Sequence, residues 1–210
     1  MKKFELTSET KINIFGKKLF RIKALISFAD VEAGETGGWV EKEGNVNQSG
    51  DAWVSGNAEV SGNAKVYGNA KVYGNAKVYG NAKVSVNAKV YGNAKVSGDA
   101  KVYGNAEVSG DAWVSDNAEV SGDAWVYGNA KVYGNAEVYG NADYTTIHGF
   151  GTQFRTTTFF RCKDKKVRVA CGCFFGTIPE FREQVKNTRK GKIAEEYLMI
   201  ADLMENHFEK

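Results

Sequence analysis

Through the middle of the chain, apolar and polar positions alternate with a period of two, and the whole alternation restarts every six residues. Alanine recurs without a slip from Ala52 to Ala142, and valine follows two places later from Val54 to Val138. The unit reads Gly-Asn-Ala-Lys-Val-Tyr, with Asp for Asn, Glu or Trp for Lys, and Ser for Tyr as common variants. Within a hexad, Ala and Val point to one side and Lys and Tyr to the other, as in a short strand. Glycine accepts a positive φ without steric cost and Asn or Asp tolerates the left-handed region, so Gly-Asn suits a tight corner between strands. A backbone path repeated at so strict an interval is a solenoid, with strands stacked in parallel about 4.8 Å apart and identical residues in files. The fold class predicted is mainly β: a parallel β-solenoid with a thin bore of Ala and Val.

A second signal runs at twelve residues. Asp takes the corner position at Asp51, Asp99, Asp111 and Asp123, and Trp takes the outward position at Trp53, Trp113 and Trp125. Tyr67, Tyr79, Tyr91, Tyr103, Tyr127 and Tyr139 share a twelve-residue phase as well. A flat coil of two hexads would lay each class on one face, which favours the twelve-residue coil over an eighteen-residue triangular one. Duplication of a twelve-residue unit would leave the same trace on a triangle, so both coils stay open.

The flanks carry different patterns. Residues 1–38 hold alternating segments around Phe4 and Leu19–Leu25 with a turn at Phe15–Lys18, and form an N-terminal β cap. The open end of a solenoid exposes unpaired strand edges, so such a cover is physically required. The solenoid is expected over 39–143. Beyond it, Thr156–Cys162 and Val167–Cys173 read as two strands around Lys163–Lys166. Thr177-Ile178-Pro179-Glu180 starts a helix with a capping box, and Ile193, Tyr197, Ala201, Met204 and Phe208 follow at helical spacing. Residues 144–210 are therefore expected to form a ββαα module.

The Gly-Asn-Ala hexad resembles the left-handed parallel β-helix of hexapeptide-repeat proteins, where three hexads make a triangular coil. In that family glycine usually follows the aliphatic residue directly, whereas here Tyr or Ser intervenes. The whole layout is similar to uncharacterised proteins of phages, prophages and gut Firmicutes. The residues that carry the likeness are Gly37-Gly38-Trp39-Val40-Glu41, the array, Thr156-Thr157-Thr158-Phe159-Phe160-Arg161 and Cys171-Gly172-Cys173-Phe174. That likeness implies no activity; a role in the phage particle or against host defence is what it brings to mind.

Composition narrows the functions. No run of eighteen apolar residues occurs and the start lacks a signal-peptide core, so a cytoplasmic protein without a membrane partner is expected. Three cysteines fit a reducing compartment better than a disulfide framework. A net charge of +3 does not by itself point to nucleic acid. Hexapeptide acyltransferases use a histidine as general base in a cleft between coils. Here His148 and His207 both lie outside the array and no loop interrupts it, so no catalytic residue and no cofactor are assigned.

Binding readings remain. The seven consecutive outward lysines from Lys65 to Lys101, interleaved with tyrosines, could grip a polyanion, although lysine files also simply keep a long sheet soluble. Trp113, Trp125 and Tyr127, with Tyr67, Tyr79, Tyr91 and Tyr103, are candidates for an interface, self-association above all. Arg155, Arg161, Lys163, Lys165, Lys166 and Arg168 make the C-terminal hairpin basic, a candidate site for a nucleotide, nucleic acid or a host or phage protein. Cys162, Cys171, Cys173 and His148 are weak metal candidates, since one residue between paired cysteines is too short for ordinary zinc spacing. The expectation is a non-enzymatic scaffold.

Overall fold

A computed structural model describes residues 2–209 of the chain. Fifteen of the sixteen hexads contribute one two-residue strand each, from β4 (Trp53–Val54) to β18 (Glu137–Val138), while the last forms a 3-10 turn at Asn141–Asp143 that leaves Ala142 exposed. Every pairing between them is parallel and joins residues eighteen apart: Lys71 with Lys89, Lys95 with Trp113, Lys101 with Glu119. The coil therefore holds three hexads and three sides, not the two that the twelve-residue signal favours. Six strands stack on the longest side, from Trp39–Val40 to Lys131–Val132, which at about 4.8 Å per step spans about 24 Å.

Every alanine and valine at the two inward positions of the hexad from Ala52 to Val138 is fully buried. The small bore is closed by backbone bonding that runs around the corners as well as along the sides. Lys71 N–H donates to Ala88 O at 3.0 Å, Tyr73 N–H to Val90 O at 3.0 Å, and Asn75 N–H to Gly92 O at 2.8 Å. Gly74 turns its corner at φ 72°, and a Cβ there would stand 3.1 Å from Gly92 N, so both the conformation and the stacking call for glycine. The Asn side chains form ladders at the corners. Asn75 Nδ2 donates to Asn93 Oδ1 at 3.1 Å and Asn93 to Asp111 Oδ1 at 3.1 Å; the other two ladders run onto Asp99 and Asp123. A carboxylate only accepts, so it receives the last amide donor of each ladder.

At the N-terminal end, β1 (Phe4–Ile12) and β2 (Lys18–Ala24) form an antiparallel hairpin that continues onto β3 (Thr36–Val40), the first strand of the longest side. Phe4, Ile22, Ala24 and Val31 join the solenoid core. The exposed carbonyls of the first coil are met by side chains. Lys3 Nζ donates to Gly50 O at 3.0 Å and Ala52 O at 2.7 Å, and Asn45 Nδ2 to Gly62 O at 3.2 Å and Ala64 O at 2.9 Å. These groups stand in for the N–H donors that an earlier coil would supply. Burial lowers the Lys3 ammonium to a pKa of about 8.

The C-terminal segment forms four antiparallel strands, β19 (Tyr144–Phe150), β20 (Arg155–Arg161), β21 (Val167–Cys171) and β22 (Phe174–Thr177), followed by α1 (Ile178–Thr188) and α2 (Gly191–Phe208). Two of these strands have no counterpart in the ββαα expectation. Cys173 is not on a strand: Cys171 pairs with Phe174 across a turn in which Gly172 has φ 62°. The sheet has two apolar faces. Phe160, Cys162 and Ala170 close the solenoid core, while Phe159 and Val169 pack against Phe181, Val185, Tyr197 and Met204 of the helices. Adjacent Phe159 and Phe160 serve opposite layers because strand side chains alternate. The capping box forms as expected, with Thr177 N–H donating to Glu180 Oε2 at 2.7 Å. No helix among the described residues is long and apolar enough to cross a membrane.

Candidate functional site

The three-sided coil redistributes the outward residues. Lys65, Lys83 and Lys101 share one side and continue into Glu119 and Glu137; Lys71 and Lys89 precede Glu107 and Trp125 on a second; Lys77 and Lys95 precede Trp113 and Lys131 on the third. The seven lysines thus form no continuous row, and two of the three files pass into carboxylates. Lys89 bonds Glu107 at 3.0 Å and Lys101 bonds Glu119 at 3.0 Å.

The tyrosines are dispersed for the same reason, since twelve residues advance the chain by two sides of three. Tyr67 and Tyr103 share a side, whereas Tyr79 and Tyr91 each lie on another. In the file that begins at Tyr67 the next coil carries Ser85, then Tyr103, then Ser121, and both serines are buried. The one close stack is between phases, Tyr73 on Tyr91 at 4.9 Å with parallel rings. Trp113 and Trp125 also part company, so they form no common patch. They are 41% and 45% exposed, and only Trp125 keeps Tyr127 beside it, at 5.0 Å between rings.

Of the six basic residues of the hairpin, four are engaged inside the molecule. Arg161 Nε lies 3.5 Å from Asp143 Oδ1 and its Nη2 donates to Phe208 O at 2.7 Å. Lys163 reaches Glu119 at 2.7 Å, Lys165 reaches Glu137 at 3.2 Å, and Arg168 reaches Asp164 at 2.6 Å. Lys163 and Lys165 tie the module to the array, where Lys163 and then Lys101 hold the Glu119 carboxyl below its usual range. Arg155 and Lys166 have no carboxylate within ion-pair distance among the described residues. Arg155 begins β20 and Arg161 ends it, so the six do not converge on one surface.

The metal candidates do not converge either. Cys162 is buried under the last coil, and desolvation pushes its thiol up to about 11. Cys171 Sγ accepts from Thr157 Oγ1 at 3.1 Å, Cys173 is exposed at the turn, and His148 Nδ1 lies 3.2 Å from Thr156 Oγ1. Among the described residues, no three His, Cys, Asp or Glu side chains are placed to hold a metal ion.

Three clefts differ in charge. One of about 660 Å³ beside the first coils combines Lys65, Tyr67 and Lys83 with Glu43. One of about 430 Å³ below α1 combines Lys165 and Lys166 with Glu205 and Glu209. A third, about 580 Å³ at the junction of array and module, includes Lys131, His148, Phe154, Arg155 and Cys173, and no Asp or Glu lines it. Of these, Lys131 and Phe154 escape sequence reasoning: one looks like any array lysine, the other like any loop residue, and only the folded chain brings them to one cleft. No protein-family model matches the chain, and no curated protein is similar to it at a level that counts as a match.

Proposed function

We propose that the protein is a non-enzymatic, rigid interaction scaffold of the cytoplasm, encoded by a phage or prophage, that works by presenting three flat sides to a second copy of itself or to a phage or host protein. The observation that supports this most is the uninterrupted stack. Fifteen strands follow one another without an inserted loop, and both ends are covered, so the sides are the surfaces offered. Trp125 and Tyr127 give one side its apolar spot. Sedimentation of the wild type and of Trp125→Ala/Tyr127→Ala tests it: a wild-type dimer that the double variant dissociates is expected. A wild type that stays monomeric when concentrated removes self-association and leaves only a different partner.

A second reading is a binder of anionic ligands, nucleotide or nucleic acid, through the C-terminal module, and the acid-free cleft around Arg155 supports it. An acyltransferase reading has less to stand on, because His148 sits on β19 and His207 in the last turn of α2, neither between coils. Turnover of an acyl-coenzyme A would revive it.

A further inference from the structure

Three cationic or protonatable side chains from separate parts of the chain line the junction cleft: Lys131 from the last strand of the longest side, His148 from β19 and Arg155 from β20. Asn129, Gln153 and Thr156 add uncharged donors, and no acid lines the cleft. This sets it apart from Arg161, Lys163, Lys165 and Arg168, whose charge Asp143, Glu119, Glu137 and Asp164 already answer; the other acid-free cleft of the module, lined by Arg155 and Arg189, has a volume of only about 100 Å³. Neither Lys131 nor Arg155 has a carboxylate within ion-pair distance among the described residues. Like-charged groups gathered without a counter-charge repel one another, and an anion between them relieves that cost.

Two further features shape the cleft. Arg155 lies across the Gly172 turn: a Cβ on Gly172 would come 2.5 Å from Arg155 Nη1, so the glycine leaves room for the guanidinium. Phe154 adopts φ 46°, a region uncommon for a bulky residue, yet the residue is 66% exposed and gains little burial in return. An exposed ring beside a set of cations is what a planar group carrying phosphates would engage, by stacking and by charge-assisted hydrogen bonds. The cleft, of about 580 Å³, is broad and open to solvent, so a small molecule would lie along its wall with one face in water.

We infer that this cleft binds a small phosphorylated molecule with a planar ring, the phosphates on Lys131, His148 and Arg155 and the ring on Phe154. The inference rests on the second reading above and narrows it to one place and one ligand class.

Calorimetric titration of the full chain with ATP, tripolyphosphate and adenosine tests it. ATP is expected to bind in the micromolar range, tripolyphosphate more weakly, and adenosine not at all. Arg155→Gln and Lys131→Gln should each weaken ATP binding about tenfold, the loss expected for one charge-assisted hydrogen bond. Phe154→Ala should weaken ATP but not tripolyphosphate, and Lys83→Gln, on an array lysine outside the cleft, should change nothing. Bound ATP should also slow alkylation of Cys173, which lines the same cleft. Because Lys131→Gln alters only an exposed array position, it covers the case in which Arg155→Gln perturbs folding. Binding that survives both charge substitutions overturns the assignment to this cleft while leaving anion binding elsewhere in the module. No binding of ATP or tripolyphosphate at millimolar concentration overturns both.

Discussion

Trp125 Nε1 donates a 2.9 Å hydrogen bond to Ser109 Oγ, sixteen residues earlier and on the preceding coil. Trp113 does the same to Ser97 at 3.0 Å. Trp53 obeys the rule in another form: sixteen residues before it stands Gly37, where an added Cβ would meet the indole at 2.6 Å. A tryptophan on this array thus follows a small residue in the place where tyrosine is otherwise common. Ser109→Tyr is expected to push the Trp125 indole outward and destabilise the fold by about 1 kcal/mol through overpacking. Red-shifted, more quenchable tryptophan emission together with a lower urea midpoint would show it; an unchanged spectrum would refute it.

Val86 occupies a corner where its neighbours are glycine, and it does so at φ 62° with its side chain half exposed. The left-handed region costs a residue with a Cβ about 1–2 kcal/mol, and more for a β-branched one, while glycine loses part of that gain through the freer unfolded chain. Val86→Gly is therefore expected to stabilise by about 0.5–1 kcal/mol. Asp116 makes the same turn at φ 58°, but its Oδ2 accepts from Gly134 N at 3.1 Å, so Asp116→Gly should gain nothing. Urea denaturation of the two variants side by side distinguishes strain from position.

Glu119 links array and module by accepting from Lys163 and Lys101, which hold its pKa below the ordinary 4.5. A carboxyl whose folded pKa is depressed contributes stability that is fully present above its unfolded value and is lost as pH falls through the folded one. The pair's contribution should thus be constant at neutral pH and decay below about pH 4.5. Glu119→Gln is expected to cost about 1 kcal/mol at pH 7 and to flatten part of the acid-induced loss, measured by thermal unfolding from pH 7 to pH 3. Equal slopes for the two proteins would remove Glu119 from the account.

Removal of the chain beyond Asp143 takes away Phe160, Cys162 and Ala170, which cover the last coil. The strand edges at Lys131–Val132 and Glu137–Val138 would then lack their cover. Such a truncated protein is expected to associate end to end into assemblies that keep growing with concentration, seen by sedimentation, while the full chain goes no further than the dimer made through its sides. A monomeric truncation would mean that the array closes its own end.

The amino-acid pattern by itself determined that the chain is a parallel solenoid, which residues fill its bore, where its corners lie, and that an amphipathic helix with a capping box follows Thr177. These are local properties, since a two-residue alternation and a Gly-Asn corner are each decided within six residues. The number of hexads per coil is not local. It depends on the angle turned at each corner, accumulated until the backbone meets itself, and a twelve-residue recurrence of Asp, Trp and Tyr reads alike on two sides or three. Tertiary structure alone decided that the angle closes after eighteen residues, and with it everything that depends on which residues are neighbours. Trp113 and Trp125 part, the lysine row breaks into three, and Lys163 finds Glu119. Lys131 and Arg155, more than twenty residues apart in the chain, come to line one cleft, because neighbours are set by stacking in space and not by interval in sequence.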